Sequence, residues 1–93
     1  MDNEELLGDV VASIVEKTLM NAGLSKYSQV RDILADKNIT FGDCYKNPEV
    51  LNFALKHTFS NSYQTIIEEI RNEIGGLADD DKNLALFFHK LSK

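Results

Sequence analysis

The spacing of apolar residues along the chain predicts helices rather than strands. In residues 3–22, apolar side chains recur every three or four positions and leave a polar opposite side, as in a helix with one buried face. Asp2 and Glu5 have the spacing of a capping box at its start, and Gly23 suits a left-handed stop at its end. The apolar positions are Leu6, Leu7, Val10, Val11, Ile14, Val15 and Leu19.

A second, shorter helix is predicted from Ser25, a residue type that suits an N-cap, to about residues 37–38. Residues 39–46 have no helical period and are predicted to form a connecting loop. We expect this loop to be held to the core by its own apolar side chains. The apolar positions of the helix are Tyr27, Val30, Ile33 and Leu34, and those of the loop are Ile39, Phe41 and Tyr45.

Residues 47–49, Asn-Pro-Glu, predict the start of a third helix that runs to Phe59. Asparagine accepts hydrogen bonds from free amides, proline suits the first helical position, and glutamate faces the positive end of the helix dipole. Residues 60–62 then interrupt the period and offer caps for a fourth helix that stops at residues 75–76, Gly-Gly. The apolar positions are Val50, Leu51, Ala54, Leu55 and Phe59 in the third helix, and Tyr63, Ile66, Ile67, Ile70 and Ile74 in the fourth.

The acidic run at residues 79–81 predicts the cap of a last helix, whose apolar side chains repeat at i, i+3, i+4 and i+7. Five helices joined by short turns predict an all-α fold, a compact bundle of about five short helices that forms one domain over residues 1–93. The apolar positions of the last helix are Leu84, Phe87, Phe88 and Leu91.

Composition and charge indicate which kinds of partner and which cellular compartment to expect. The 93 residues carry 10 Lys and Arg against 15 Asp and Glu, a formal net charge of −5, and no stretch forms a basic stripe. Such a chain repels phosphate backbones, so we expect no nucleic-acid partner. The start of the chain is acidic and apolar runs are short, so neither a signal peptide nor a membrane segment is expected. A single cysteine agrees with a reducing interior, and we expect a cytoplasmic protein.

The side chains that could carry chemistry have no catalytic pattern. Cys44 could pair with His57 or His89 as a nucleophile, but the neighbouring Asp43 would raise the thiol pKa, and free cysteines are commonly buried. We therefore interpret Cys44 as a small core residue; a thiol switch or small enzyme at this position is the alternative. No nucleotide-binding, hydrolase or zinc-protease motif occurs, and the acidic run lacks the spacing of an EF-hand loop. The sequence thus predicts no enzyme, no cofactor and no metal site.

Residues 48–74 have the outline of a helix-turn-helix, which makes a transcription-related DNA-binding domain the alternative function. In that arrangement the second helix would enter the DNA groove. Its polar positions are, however, mainly acidic and would repel phosphates. These positions are Gln64, Glu68, Glu69, Arg71, Asn72 and Glu73.

Residues 43–51, DCYKNPEVL, followed by Ala54-Leu55, Phe59-Ser60 and residues 63–70, resemble a group of small archaeal helical domains described as Nitrosopumilus-type output domains. The likeness covers about the middle third of the chain and departs at Ser60, where glycine would be expected. It implies an intracellular, non-enzymatic module that stands alone or is appended to signalling ATPases or regulators. It brings no catalytic residues to this sequence.

The leading functional hypothesis is a non-catalytic helical module for protein interaction or signalling output, with a protein partner or a homo-oligomer. Large apolar residues are more numerous than five short helices would be expected to bury. Phe53 lies off the Leu51-Leu55-Phe59 face of its helix, and the last helix carries two phenylalanines and a leucine on one apolar stripe. The candidate interface residues are Phe53, Phe87, Phe88 and Leu91.

Overall fold

A computed structural model describes residues 3–75 and 82–91, in which five α-helices and two 3-10 turns account for the regular structure and no strand occurs. The predicted all-α fold is confirmed. In this part of the chain, no helix combines the length and the apolar character that crossing a lipid bilayer requires. The helices are α1 (Asn3–Ala22), α2 (Leu24–Asp36), α3 (Pro48–Phe59), α4 (Tyr63–Ile74) and α5 (Lys82–Leu91), and the 3-10 turns are Phe41–Asp43 and Ser60–Ser62.

Four helices form a closed ring around the core. Helix α1 packs against α2 and α4, and α3 packs against the same two helices. Helix α5 packs against α3 and α4 and adds its apolar face to the core. The side chains from all five helices form one cluster. Its largest fully buried members are Val11, Val15, Leu19, Val30, Leu34, Cys44, Leu51, Leu55, Ile70, Leu84, Phe88 and Leu91.

The boundary between α1 and α2 follows from one glycine. Gly23 has φ 142°, a backbone conformation that favours glycine, and its amide donates to the Leu19 carbonyl oxygen over 3.1 Å. The predicted stop is thus confirmed. The predicted cap at Ser25 is wrong: α2 begins at Leu24, and its N-cap is Gly23, two residues earlier. There is no side-chain cap, and the Gly23 carbonyl accepts from the Tyr27 amide over 3.0 Å.

The predicted connecting loop contains a 3-10 turn over Phe41–Asp43. Asp43 Oδ2 accepts from the Thr40 backbone amide over 3.0 Å and from the Thr40 hydroxyl over 3.3 Å, which fixes the start of the turn. The predicted side-chain cap at Asn47 is wrong: the side chain makes no capping hydrogen bond to α3, and its Nδ2 donates to the Asp43 carbonyl over 2.9 Å. Pro48 begins α3, as the sequence predicted.

Apolar side chains hold this loop to the core, as expected. Phe41 is buried, and its ring stacks on that of Tyr27 with the centroids 5.3 Å apart. Ile39 and Tyr45 are partly buried against the core. The predicted caps at Asp2 and at residues 79–81 lie outside the residues that the structure describes.

The turn between α3 and α4 holds a serine in a conformation that favours glycine. Ser60 has φ 51° and ψ −117°, at the position where the family likeness would place glycine. A side chain in such a region costs on the order of 1–3 kcal/mol. Replacing Ser60 with glycine would remove this cost from the folded state. Part of the resulting stabilisation is offset, because glycine also gives the unfolded chain more conformational freedom.

We therefore expect Ser60→Gly to raise the free energy of unfolding by about 0.5–1 kcal/mol, measured by urea denaturation with an unchanged m value. Ser62→Gly is the matched control. Ser62 has φ −89° and ψ 0°, so glycine relieves no strain there and lowers stability. Equal effects at both positions would contradict the assignment of strain to Ser60.

Candidate protein-interaction surface

The structure separates the four predicted interface residues. Phe87, Phe88 and Leu91 are buried, with 3%, 0% and 0% of their surfaces exposed, so the expectation that they form an accessible interface is corrected. The physical reason is that α3 and α4 cover the apolar stripe of α5 within the same chain. Phe53 differs from them, because 53% of its surface is exposed. Phe53 remains the candidate interface residue.

Aromatic contacts account for the burial of the α5 stripe. The rings of Phe87 and Phe88 meet edge to face, with centroids 5.3 Å apart, and Tyr45 packs beside Phe87 at 5.6 Å. The Arg71 guanidinium of α4 lies over the Phe88 ring at 5.2 Å. Asn52 Nδ2 of α3 donates to the Leu91 carbonyl oxygen. Carbonyl groups in the last turn of a helix have no amide partner within the helix, and this bond provides a partner for one of them.

Phe53 stands beside a shallow depression of about 300 Å³ between α2 and α3. We call its lining residues, Ile33, Asp36, Lys37, Phe53 and His57, the Phe53 surface. Phe53 and His57 are four positions apart on α3, and their rings stack with centroids 6.1 Å apart. The Lys37 ammonium lies 5.6 Å from the Phe53 centroid. An apolar ring with charged neighbours resembles the centre and rim of many protein interfaces.

Phe53 is the one residue of this surface that the sequence predicted as an interface residue. His57 could have been added, because its i+4 spacing from Phe53 places both on the same side of α3. Ile33, Asp36 and Lys37 belong to α2 or its C-cap, and their proximity to Phe53 depends on the packing of α2 against α3. No local pattern carries that information.

A second depression, of about 380 Å³, lies where α5 meets the start of α3. Leu86 of α5 is 51% exposed there. It was not predicted from the sequence, because the neighbouring Phe87 continues the apolar stripe. Its two charged lining residues are Lys46 and Lys90, of which Lys90 lies 4.0 Å from the Glu49 carboxylate. We call this region the α5 groove.

Cys44 is a core residue, as interpreted from the sequence. It is fully buried, and its thiol donates to the Thr40 carbonyl oxygen over 3.7 Å. Burial, followed by the charges of Asp43 and Glu16, raises the pKa of the Cys44 thiol to about 12. A thiol of this kind is poorly suited to nucleophilic chemistry, because the thiolate is the reactive form.

The other side chains considered for chemistry are dispersed. His57 and His89 lie in the last turns of α3 and α5, and both are exposed. Within residues 3–75 and 82–91, no group of three or more histidine, cysteine or acidic side chains is arranged to hold a metal ion. Within the described residues, His57, His89 and Cys44 therefore belong to no metal-binding cluster.

The charge on the outer face of α4 bears on the helix-turn-helix interpretation of the α3–α4 hairpin. Helix α4 presents a largely exposed outer face with three glutamates and one arginine. An acidic face of this kind opposes insertion into a DNA groove. The charged residues are Glu68, Glu69, Arg71 and Glu73.

Comparison with known proteins adds no relative to this picture: no protein-family model matches the chain, and no curated protein or solved structure matches it significantly.

Proposed function

We propose that this chain is a non-catalytic helical module that acts by binding a protein partner, either a different chain or a second copy of itself, and that the partner docks on the Phe53 surface. The observation that carries the proposal is the exposure of Phe53. The other four phenylalanines are buried or partly buried, whereas the Phe53 ring presents more than half of its surface to solvent. Aromatic residues with a depression beside them are frequent anchors of protein interfaces.

The surroundings of Phe53 support the same role. Lys37 and His57 both lie against the ring and Asp36 lines the same depression, so a partner would find polar groups beside an apolar centre. Ile33 is partly buried and gives the depression an apolar wall. Scattered exposed leucines are common on soluble proteins, but this combination offers both an anchor and a rim.

Signalling output is the form of this function that the family likeness supports. The resemblance of residues 43–51 to Nitrosopumilus-type output domains implies a module that relays a signal without catalysis. The raised pKa of Cys44 argues in the same direction, since it disfavours a thiol-based enzyme. The acidic outer face of α4 disfavours the DNA-binding alternative.

The proposal predicts that Phe53→Asp abolishes partner retention. A charge at the centre of the docking surface removes the apolar contact and must be desolvated, so we expect retention to fall about tenfold or more. The measurement is quantitative mass spectrometry of proteins that co-purify with the tagged chain from its native cells. The fold should survive, because the substituted side chain is already more than half exposed.

Leu24→Asp is the matched control for this experiment. Leu24 is an exposed apolar residue, at 70%, and it is not part of the Phe53 surface. Its substitution should leave retention unchanged. Equal loss with both variants, or no loss with either, would contradict the proposal. A nanomolar gel shift with duplex DNA at physiological salt would favour the transcription-related alternative instead.

A further inference from the structure

We infer that the occupant of the Phe53 surface is the same surface of a second copy of this chain, in a two-fold symmetric dimer. The inference rests on the proposed function, because it names the partner that the Phe53 surface binds. In a two-fold dimer the same patch of both copies forms the interface, so the patch must complement itself. Every contact between two different residues then occurs twice, with the roles of the two copies exchanged. Shape and charge at the Phe53 surface both meet this condition.

The shape is self-complementary because a projection and a depression lie side by side. The Phe53 ring is 53% exposed, and the depression beside it has a volume of about 300 Å³. A two-fold axis next to Phe53 would bring each ring to the depression of the other copy, against the wall formed by Ile33. The same contact would then occur twice, and both exposed rings would be covered.

The charges are self-complementary because both signs occur on one rim. Asp36 is negative and its neighbour Lys37 is positive, and the lysine is held over the Phe53 ring at 5.6 Å. In a two-fold contact, Asp36 of one copy can face Lys37 of the other in two equivalent pairs. A rim with one acid and one lysine also limits repulsion between two chains that each carry a net charge of −5.

The α5 groove lacks this property. Its charged lining residues, Lys46 and Lys90, have the same sign, and the nearby Glu49 carboxylate already lies 4.0 Å from Lys90 within one chain, so the lining offers no acid to pair with a lysine of a second copy. Leu86 is nearly as exposed there as Phe53 is on its own surface, at 51%. Charge complementarity thus distinguishes two surfaces of similar apolar exposure, and it selects the Phe53 surface for pairing between copies.

Sedimentation velocity over a range of protein concentrations, from about 5 to about 500 µM, tests the inference. A small patch of this kind predicts a weak dimer, with a dissociation constant in the micromolar range. The wild-type chain should change from its 10.5 kDa monomer toward twice that mass as concentration rises. Phe53→Asp should remain monomeric throughout, while Leu24→Asp should dimerise as the wild type does.

Charge reversal provides the more specific test. Asp36→Lys leaves two adjacent cations on the rim, and Lys37→Glu leaves two adjacent anions, so each variant alone should dimerise about tenfold more weakly than the wild type. An equimolar mixture of the two should form a heterodimer, because the rims then carry opposite charges. Circular dichroism of each variant checks that the helices are retained, and both residues are exposed.

The outcomes separate this inference from the proposed function. A wild-type chain that stays monomeric to the highest concentration, or a dimer that Phe53→Asp leaves intact, overturns the inference. So does a mixture of charge variants that associates no better than either alone. If a monomeric chain still retains a different protein in a Phe53-dependent manner, the proposed function stands and only the identity of the partner changes.

Discussion

Phe88→Ala is expected to lower the free energy of unfolding by about 3–5 kcal/mol. The Phe88 ring is fully buried, meets Phe87 edge to face and lies under the Arg71 guanidinium. Its removal forfeits the transfer free energy of the ring and leaves a cavity that the surrounding helices fill only in part. Since domains of this size are stable by about 5–15 kcal/mol, the loss is a large share of the total.

Phe53→Ala is the matched control, because it makes the same chemical change at an exposed position. We expect it to alter stability by less than about 1 kcal/mol, as measured by urea denaturation at a concentration where the chain is monomeric. The two variants together test whether the structure assigns these phenylalanines correctly, Phe88 to the core and Phe53 to the surface. Similar losses at both positions would show that the assignment is wrong.

Cys44 is expected to react with iodoacetamide about a thousandfold more slowly in the folded chain than a free model thiol does at neutral pH. A pKa of about 12 in place of the ordinary 9.0 lowers the fraction of thiolate by that factor. Burial of the sulfur slows the reaction further by limiting access. Alkylation followed by mass spectrometry measures the rate, and unfolding in urea should restore it. A folded-state rate at or above that of the model thiol would favour the thiol-switch alternative.

The same raised pKa determines how Cys44 couples stability to pH. The folded chain holds the thiol proton more tightly than the unfolded chain does, so this contribution is fully present below pH 9 and is lost as the pH rises toward about 12. Stability should therefore decline through that alkaline range. Comparing the pH slope of the wild-type chain with that of Cys44→Ala isolates the contribution of the thiol.

Helix bounds could be predicted from the sequence wherever apolar spacing and terminal residues agreed. Helix α3 begins at Pro48 and α4 spans residues 63–74, as predicted, because proline and glycine impose backbone restrictions that act locally. Side-chain caps were harder to predict. The Asn47 side-chain amide could either cap α3 or hydrogen-bond to the preceding loop. The conformation of the folded loop determines that it donates to the Asp43 carbonyl.

The candidate site could be predicted only in part, for a physical reason. An apolar stripe looks the same in sequence whether a partner or the rest of the chain covers it, so Phe87 and Leu91 could not be assigned to the core beforehand. Phe53 could be identified because it departs from the buried face of its own helix. Its contact with Lys37 depends on the packing of two helices, which no periodicity specifies.

The closed ring of α1 to α4 has a consequence for how the Phe53 surface meets a partner. Each helix of the ring packs against at least two others, so detaching one breaks at least two interfaces at once and partial opening is costly. The Phe53 surface spans the junction of α2 and α3, and its residues are thereby held in place before binding. A partner then meets a preorganised surface, and little of the binding free energy is spent on ordering this chain.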